Sequence, residues 1–125
     1  DEVLDADDPD QATFVYDWSA GDAGAAEDLE HVLRIFSALA EATRLRIALG
    51  LLEGEESVGR LAQRLQLPQS TTSRHLAVLR GSGVVDARRQ GTQVFYHLKS
   101  HVADLLIQAF AHAEHQRLGL PDHGA

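Results

Sequence analysis

The chain has 125 residues, 44% of them hydrophobic, no cysteine, and a formal net charge of −8. That length and apolar content suit one domain with a compact core, and the lack of cysteine excludes disulfides, thiolate metal sites and thiol redox sensing, leaving imidazole and carboxylate as the strong metal ligands. No apolar run approaches the ~20 residues that cross a bilayer, and the acidic start lacks the basic segment of a signal peptide, so a cytoplasmic protein with no membrane partner is expected.

Residues 1–26 read as an acidic arm interrupted by Pro9, in which Phe14, Tyr16 and Trp18 alternate and are expected to pin the arm to the body. Because the sequence begins at Asp1 and contains no methionine, residues ahead of Asp1 are also expected. From Glu27 onward Leu29, Val32, Leu33, Phe36 and Leu39 recur at three- and four-residue spacing, which predicts an amphipathic helix suited to dimerisation. A second helix is predicted over Thr43–Leu52, stopped by Gly54.

Ser57 is the expected N-cap of a short helix ending at Leu65, and Gln66-Leu67-Pro68 turns the chain. Gln69–Gly81 follows as another helix, with Leu76, Val78 and Leu79 inward, His75 in the same register as a structural residue, and a polar front. Val84–Arg89 and Thr92–Leu98 carry strand-like residues on either side of a Gln90-Gly91 turn, a β-hairpin with Arg88 and Arg89 at its tip and His97 on its second strand. Ser100 is the expected cap of a last helix running to Gln116, with Val102, Leu105, Leu106, Ala109 and Phe110 as its apolar stripe, and residues 117–125 form a tail containing His123. The fold class is therefore mainly α with a small β-hairpin, a winged helix-turn-helix over residues 27–116.

Charge is segregated along this order. Residues 57–99 carry seven basic side chains against Asp86 alone, a net +6, whereas residues 1–56 sum to −12 and residues 100–125 to −2. Binding to phosphates needs a locally positive face, not a positive total, so the central block is the candidate DNA surface. A merely solvated basic surface is the alternative, and the order helix, turn, helix, hairpin argues against it. Gln69 and Ser70 suit base edges, Thr71, Ser73 and Arg74 either bases or phosphates, and Arg88 and Arg89 the flanking backbone or minor groove.

The last helix carries His101, His112 and His115. Eleven residues bring His112 back to nearly the face of His101, but about 16 Å along the axis, so one ion cannot bind both within a single helix. His112 and His115, three apart, can share one. Two such helices paired antiparallel about a two-fold axis would bring His101 of one subunit beside His112 and His115 of the other, which predicts an intersubunit metal site and a homodimer. The alternative is a helix that simply carries solvent-facing imidazoles.

Ala38-Leu39-Ala40-Glu41-Ala42-Thr43-Arg44-Leu45-Arg46-Ile47, Gln69 through Arg80, Gly83-Val84-Val85 and Arg89 through Leu98 together resemble the ArsR/SmtB family of winged-helix metal sensors, over most of residues 29–116. The closing His112-Ala113-Glu114-His115 with Leu118-Gly119-Leu120 is similar to the mycobacterial nickel/cobalt-sensing branch. The resemblance implies a homodimeric repressor that binds operator DNA metal-free and releases it on binding metal. It also implies a ligand set on the last helix: an Asp two positions before the first histidine, that histidine, and ligands eleven and fourteen positions later. His101, His112 and His115 match, Lys99 stands where the Asp would be, and Asp104 is the expected substitute, with His97, Glu114, His123 or the arm as others. The family's cysteine site has no counterpart at Glu56-Ser57-Val58-Gly59.

The expected function is thus a metal-responsive repressor of an inverted-repeat operator, with Zn²⁺ favoured by four ligands and Ni²⁺ by recruitment of more from the tail, nickel being preferred on that account. Two other readings are a winged-helix regulator with a vestigial metal site controlled by a protein partner, which Lys99 favours, and a histidine-based metal carrier. An enzyme is not expected, since no nucleophile–base pair or phosphate loop stands out.

Overall fold

A computed structural model describes Tyr16 and residues 23–119; Phe14 and Trp18 of the expected arm, and the tail with His123, lie outside the described residues. The order is α1 (Ala23–Leu39), α2 (Ala42–Gly50), β1 (Glu56–Ser57), α3 (Val58–Leu65), α4 (Gln69–Gly81), β2 (Val85–Gln90), β3 (Gln93–Leu98) and α5 (Ser100–Leu118). The sheet is antiparallel with strand order β1-β3-β2. Helix–turn–helix followed by hairpin is the expected winged arrangement, and among the described residues no helix is long and apolar enough to cross a membrane.

Side chains that would otherwise be solvated close the helix ends. Glu41, in extended conformation at the α2 N-cap, accepts the Arg44 N–H at 2.8 Å, and this bond holds its carboxyl below the ordinary carboxylate value. The Arg44 side chain turns back and donates Nε to Ala38 O at 2.8 Å, so one residue joins α1 to α2. Arg46 donates to Leu65 O at the end of α3, and Arg64 to Gly50 O at the end of α2. Cations on C-terminal carbonyls satisfy orphan acceptors and complement the helix dipole.

The core lies where these helices meet the sheet. Ile47, Leu61, Leu76, Leu79, Val84 and Val85 are fully buried, drawn from α2, α3, α4 and the α4–β2 junction. Thr72 is buried beside them, and its hydroxyl donates to Pro68 O at 3.0 Å, which removes the cost of burying it. Tyr16 donates its hydroxyl to Asp28 at 2.8 Å, the kind of aromatic tie expected of the arm.

Several expectations need correction. Helix α1 starts at Ala23, ahead of Glu27, and α2 ends at Gly50, with Leu51 as its C-cap, ahead of Leu52. The third strand, β1, was not foreseen: two residues are too short for a period to show, and its pairing with Tyr96 and Phe95 is long-range. Hairpin pairing runs to Gln90↔Gln93, so the turn is Gly91-Thr92, not Gln90-Gly91. Gly91 supplies the positive φ, 64°, that a two-residue turn needs at its first position. Ser100 is not the cap of α5. Lys99 occupies that position without a side-chain cap bond, its ammonium having no acceptor to offer the helix N–H groups, while its backbone N–H is tied to Val84 O at 3.0 Å and the helix begins immediately after.

The apolar stripes of the outer helices, expected to serve dimerisation, are mostly uncovered in the single chain. On α1 Ala38 and Leu39 are buried, while Leu29, Val32, Leu33 and Phe36 are exposed. On α5 Val102 and Leu106 face the core, and Leu105, Ile107 and Phe110 do not. The periodicity reported surface that is apolar without saying what would cover it.

Candidate nucleic-acid interface and metal centre

Helices α3 and α4 are joined by Gln66-Leu67-Pro68. Ser57 caps α3, accepting the Arg60 N–H at 3.3 Å, as expected. Gln66 closes α3 in the left-handed conformation, φ 57°, with its N–H on Ala62 and Gln63 carbonyls. Pro68 then starts α4, whose first turn presents Gln69 and Ser70 to solvent with Thr71 half-buried. Ser73 and Arg74 are exposed on the following turn. The sequence-predicted reading residues are therefore gathered on one outer end of α4, while Thr72, Leu76 and Leu79 fix the inner face.

Val78 was expected inside and is 41% exposed. Positions 72, 76 and 79 fall on a single stripe at helical spacing, and Val78 is about 100° from its neighbour Leu79, beside Leu33, Ser37 and Ala38 in a shallow cleft. His75 is half-buried, and its Nδ1 is buried with no hydrogen-bond partner among the described residues.

The basic block divides into committed and uncommitted cations. Arg64 pairs with Glu56 at 3.4 Å and Glu53 at 3.7 Å, Arg88 with Glu55 at 2.6 Å, and Lys99 with Asp86 at 3.4 Å. Arg60, Arg74, Arg80 and Arg89 enter no ion pair among the described residues. Arg74 and Arg89 are thus available to phosphates without first breaking a contact among the described residues.

Arg88 and Arg89 point to opposite faces of β2. Arg89 is opposite Val94, whereas Arg88 is opposite Phe95 and lies over its ring at 5.1 Å. Glu55, from the α2–β1 connection, grips the Arg88 guanidinium with both oxygens, at 2.7 Å from Nε and 2.6 Å from Nη2. The hydrogen bond from Arg88 holds the Glu55 carboxyl below its usual range, and the same bond raises Arg88. The pair therefore contributes fully at neutral pH and is lost only as acid carries the solution below the ordinary carboxylate range, through the depressed Glu55 value. Glu55 has no signal in the sequence, being 33 positions from its partner.

On α5, His101, Asp104 and His112 are exposed and His115 is half-buried. Asp104 is three positions after His101 and His115 three after His112, so the helix carries two donor pairs, each able to share an ion. Imidazole and carboxylate donors that face outward fit a borderline divalent cation. Among the described residues, no three of His, Asp and Glu within one chain are close enough to hold a metal ion. Lys99, at the position of the family's Asp, is turned to Asp86.

His101 also lines a cavity of about 560 Å³ with His97 and His31. The His31 ring lies against Gly83, which follows the reading helix: φ there is 81°, and a Cβ would stand 3.0 Å from His31 Cε1. Only glycine meets both demands. Nothing in the local pattern marks His31, on α1, as a neighbour of His101.

Comparison with known proteins gives a consistent result. Residues 41–87 match the family described as bacterial regulatory protein, arsR family. The chain is 42% identical over 93 residues to the HTH-type transcriptional regulator KmtR of Mycobacterium tuberculosis, covering 74% of this chain and 72% of that one. It is 40% identical over 102 residues to the HTH-type transcriptional regulator NmtR of the same organism, covering 81% and 82%. Among solved structures it is similar to the homodimeric winged helix-turn-helix DNA-binding domain of Mb0332 from Mycobacterium bovis, a possible ArsR-family transcriptional regulator, with TM-score 0.75, 30% identity and coverage of 84% of this chain and 98% of that one.

Proposed function

The chain belongs to the arsR family of bacterial regulatory proteins, DNA-binding transcriptional regulators and not enzymes, and we propose that it is a homodimeric repressor that holds inverted-repeat operator DNA and releases it when Ni²⁺ or Zn²⁺ binds between two α5 helices. The observation that carries this reading is the character of α5. Two donor pairs, His101 with Asp104, both exposed, and His112 with the half-buried His115, lie on one helix whose apolar Leu105, Ile107 and Phe110 are exposed. An antiparallel second copy covers that surface and the exposed face of α1, and joins the first pair of one subunit to the second pair of the other.

In this dimer the two α4 helices read successive major grooves, with Gln69, Ser70, Thr71, Ser73 and Arg74 on bases and phosphates and the wings on the flanking backbone. His101, His112, His115 and Asp104 hold the metal, which supplies a fixed bridge between subunits. Nickel is the favoured ion because His97, in the same cavity as His101, together with Glu114 and His123, extends the donor set beyond four. The bridge favours one relative setting of the two wings and reading helices, one that spans the operator poorly. Residues 27–116 are the regulatory domain, acting in the cytoplasm.

Metal-free protein titrated onto its promoter's inverted repeat is expected to bind as a dimer. Added Ni²⁺ is expected to weaken binding by about 5- to 150-fold, the usual range of such couplings. An operator affinity indifferent to both Ni²⁺ and Zn²⁺, or a monomer in sedimentation, refutes the proposal. Indifference in a protein that still binds the operator as a dimer instead favours a vestigial site, the reading consistent with the Lys99–Asp86 pair at 3.4 Å. Because imidazole coordinates only when neutral, metal affinity measured calorimetrically is also expected to fall on acidification.

A further inference from the structure

The wing arginine that the sequence assigns to DNA is already bound. Arg88 donates Nε and Nη2 to the two oxygens of Glu55 at 2.7 and 2.6 Å, donates Nη1 to Gln90 Oε1 at 2.9 Å, and lies over Phe95 at 5.1 Å. Three of its five N–H groups are therefore used, including the whole Nε–Nη2 edge with which a guanidinium grips a phosphate. A carboxylate and a phosphate offer that edge the same pair of acceptor oxygens, and they compete for it.

We propose that Glu55 is a positioning residue for DNA binding that occupies Arg88 in place of a backbone phosphate, so that the wing has a latched state, in which Arg89 alone meets DNA, and a released state in which Arg88 joins it. The proposal rests on the DNA-binding reading and is independent of the metal. Both partners are partly solvated, with side chains 49% and 30% exposed, so the pair is open to exchange on approach of another anion. An exposed ion pair adds little to folding. Its consequence lies in which anion the fork holds. Glu55 remains ionised at neutral pH, since Arg88 lowers its carboxyl, so the latch is set under the conditions in which DNA is bound. Among the described residues no ion pair holds Arg89, whose side chain leaves the other face of β2.

The test is a two-by-two set on the whole protein, Glu55→Gln and Arg88→Ala, singly and together, binding a random-sequence 30-base-pair duplex over a range of salt. Glu55→Gln is expected to tighten binding by about 3- to 5-fold, the worth of an exposed ion pair. It is also expected to steepen the slope of log K against log salt by about 0.9, one more phosphate. Arg88→Ala is expected to abolish both gains of Glu55→Gln, the double variant binding with the affinity and salt slope of Arg88→Ala alone, with thermal melts confirming that all four proteins fold. Equal tightening by Glu55→Gln with or without Arg88 means a general charge effect and overturns the latch. Weaker binding by Glu55→Gln means that the pair preorganises Arg88 for DNA and also overturns it. Failure of all four, wild type included, to bind duplex at low salt removes the DNA-binding reading itself and the latch with it.

Discussion

Replacing both His112 and His115 by alanine is expected to lower the affinity of the dimer for Ni²⁺ and Zn²⁺ by more than about 100-fold, beyond the 10- to 100-fold that outer-shell changes cost metal sites. The two imidazoles are three positions apart on α5 and form one of its two donor pairs. Removing them leaves His101 and Asp104, half of the proposed set, with no third His, Asp or Glu gathered around them within the described chain. His112 is exposed and His115 half-buried, and neither belongs to the core, so the helix and the reading head should survive the change. The variant is therefore expected to bind operator as the metal-free wild type does and to stay bound when metal is added. Isothermal titration with each ion, paired with operator binding with and without metal, checks both halves. Metal affinity unchanged in the double variant would remove α5 as the site, whatever the DNA measurement showed.

Leu76→Ala is expected to destabilise the fold by about 2–5 kcal/mol, through lost burial and the cavity left behind. Leu76 is fully buried on α4 together with Thr72 and Leu79, directly behind the exposed front that carries Arg74. At about 4 °C per kcal/mol for a domain of this size, the melting temperature at fixed protein concentration should fall by roughly 8–20 °C. Val78→Ala, two positions along the same helix at a side chain 41% exposed, is expected to cost about 1 kcal/mol or less. Similar losses at both positions would mean that α4 is seated differently on the core, and that the front offered to DNA is not the one described.

That contrast marks where periodicity stops being informative. Leu76, Val78 and Leu79 are equally apolar in the sequence, and a helix interior of three such residues cannot say which one the next layer covers. The same holds for Phe36 on α1 and Phe110 on α5, which continue apolar stripes and are exposed in the single chain. By contrast Ser57, Gln66 and Pro68 were legible, because a cap and a tight turn are decided within four residues by hydrogen bonds the local chain makes to itself.

The candidate site follows the same division. The spacing of His101, His112 and His115 is a property of one helix, and it alone excludes a site built from one subunit's three imidazoles, since about 16 Å of helix separates the first from the others. The partners of those residues are not local properties. Neither the turning of Lys99 to Asp86 nor the approach of His31 to Gly83 is written in any pattern along the chain.

By itself the sequence determined the order of the helices and the hairpin, though not β1, together with the polar front of α4, the confinement of positive charge to residues 57–99 and the absence of thiolate ligands, because each depends on residue type and short spacing. Only the tertiary structure decided which cations remain available. Arg64 is taken up by Glu53 and Glu56 and Arg88 by Glu55, all three carboxylates from the acidic first half of the chain, and Lys99 by Asp86, while Arg74 and Arg89 are left without an ion pair among the described residues. The physical reason is reach: the Ser57 cap and the Gln66–Pro68 turn are fixed by neighbours a few residues away, whereas a salt bridge such as Glu55–Arg88 joins positions 33 apart that folding alone brings within 3 Å.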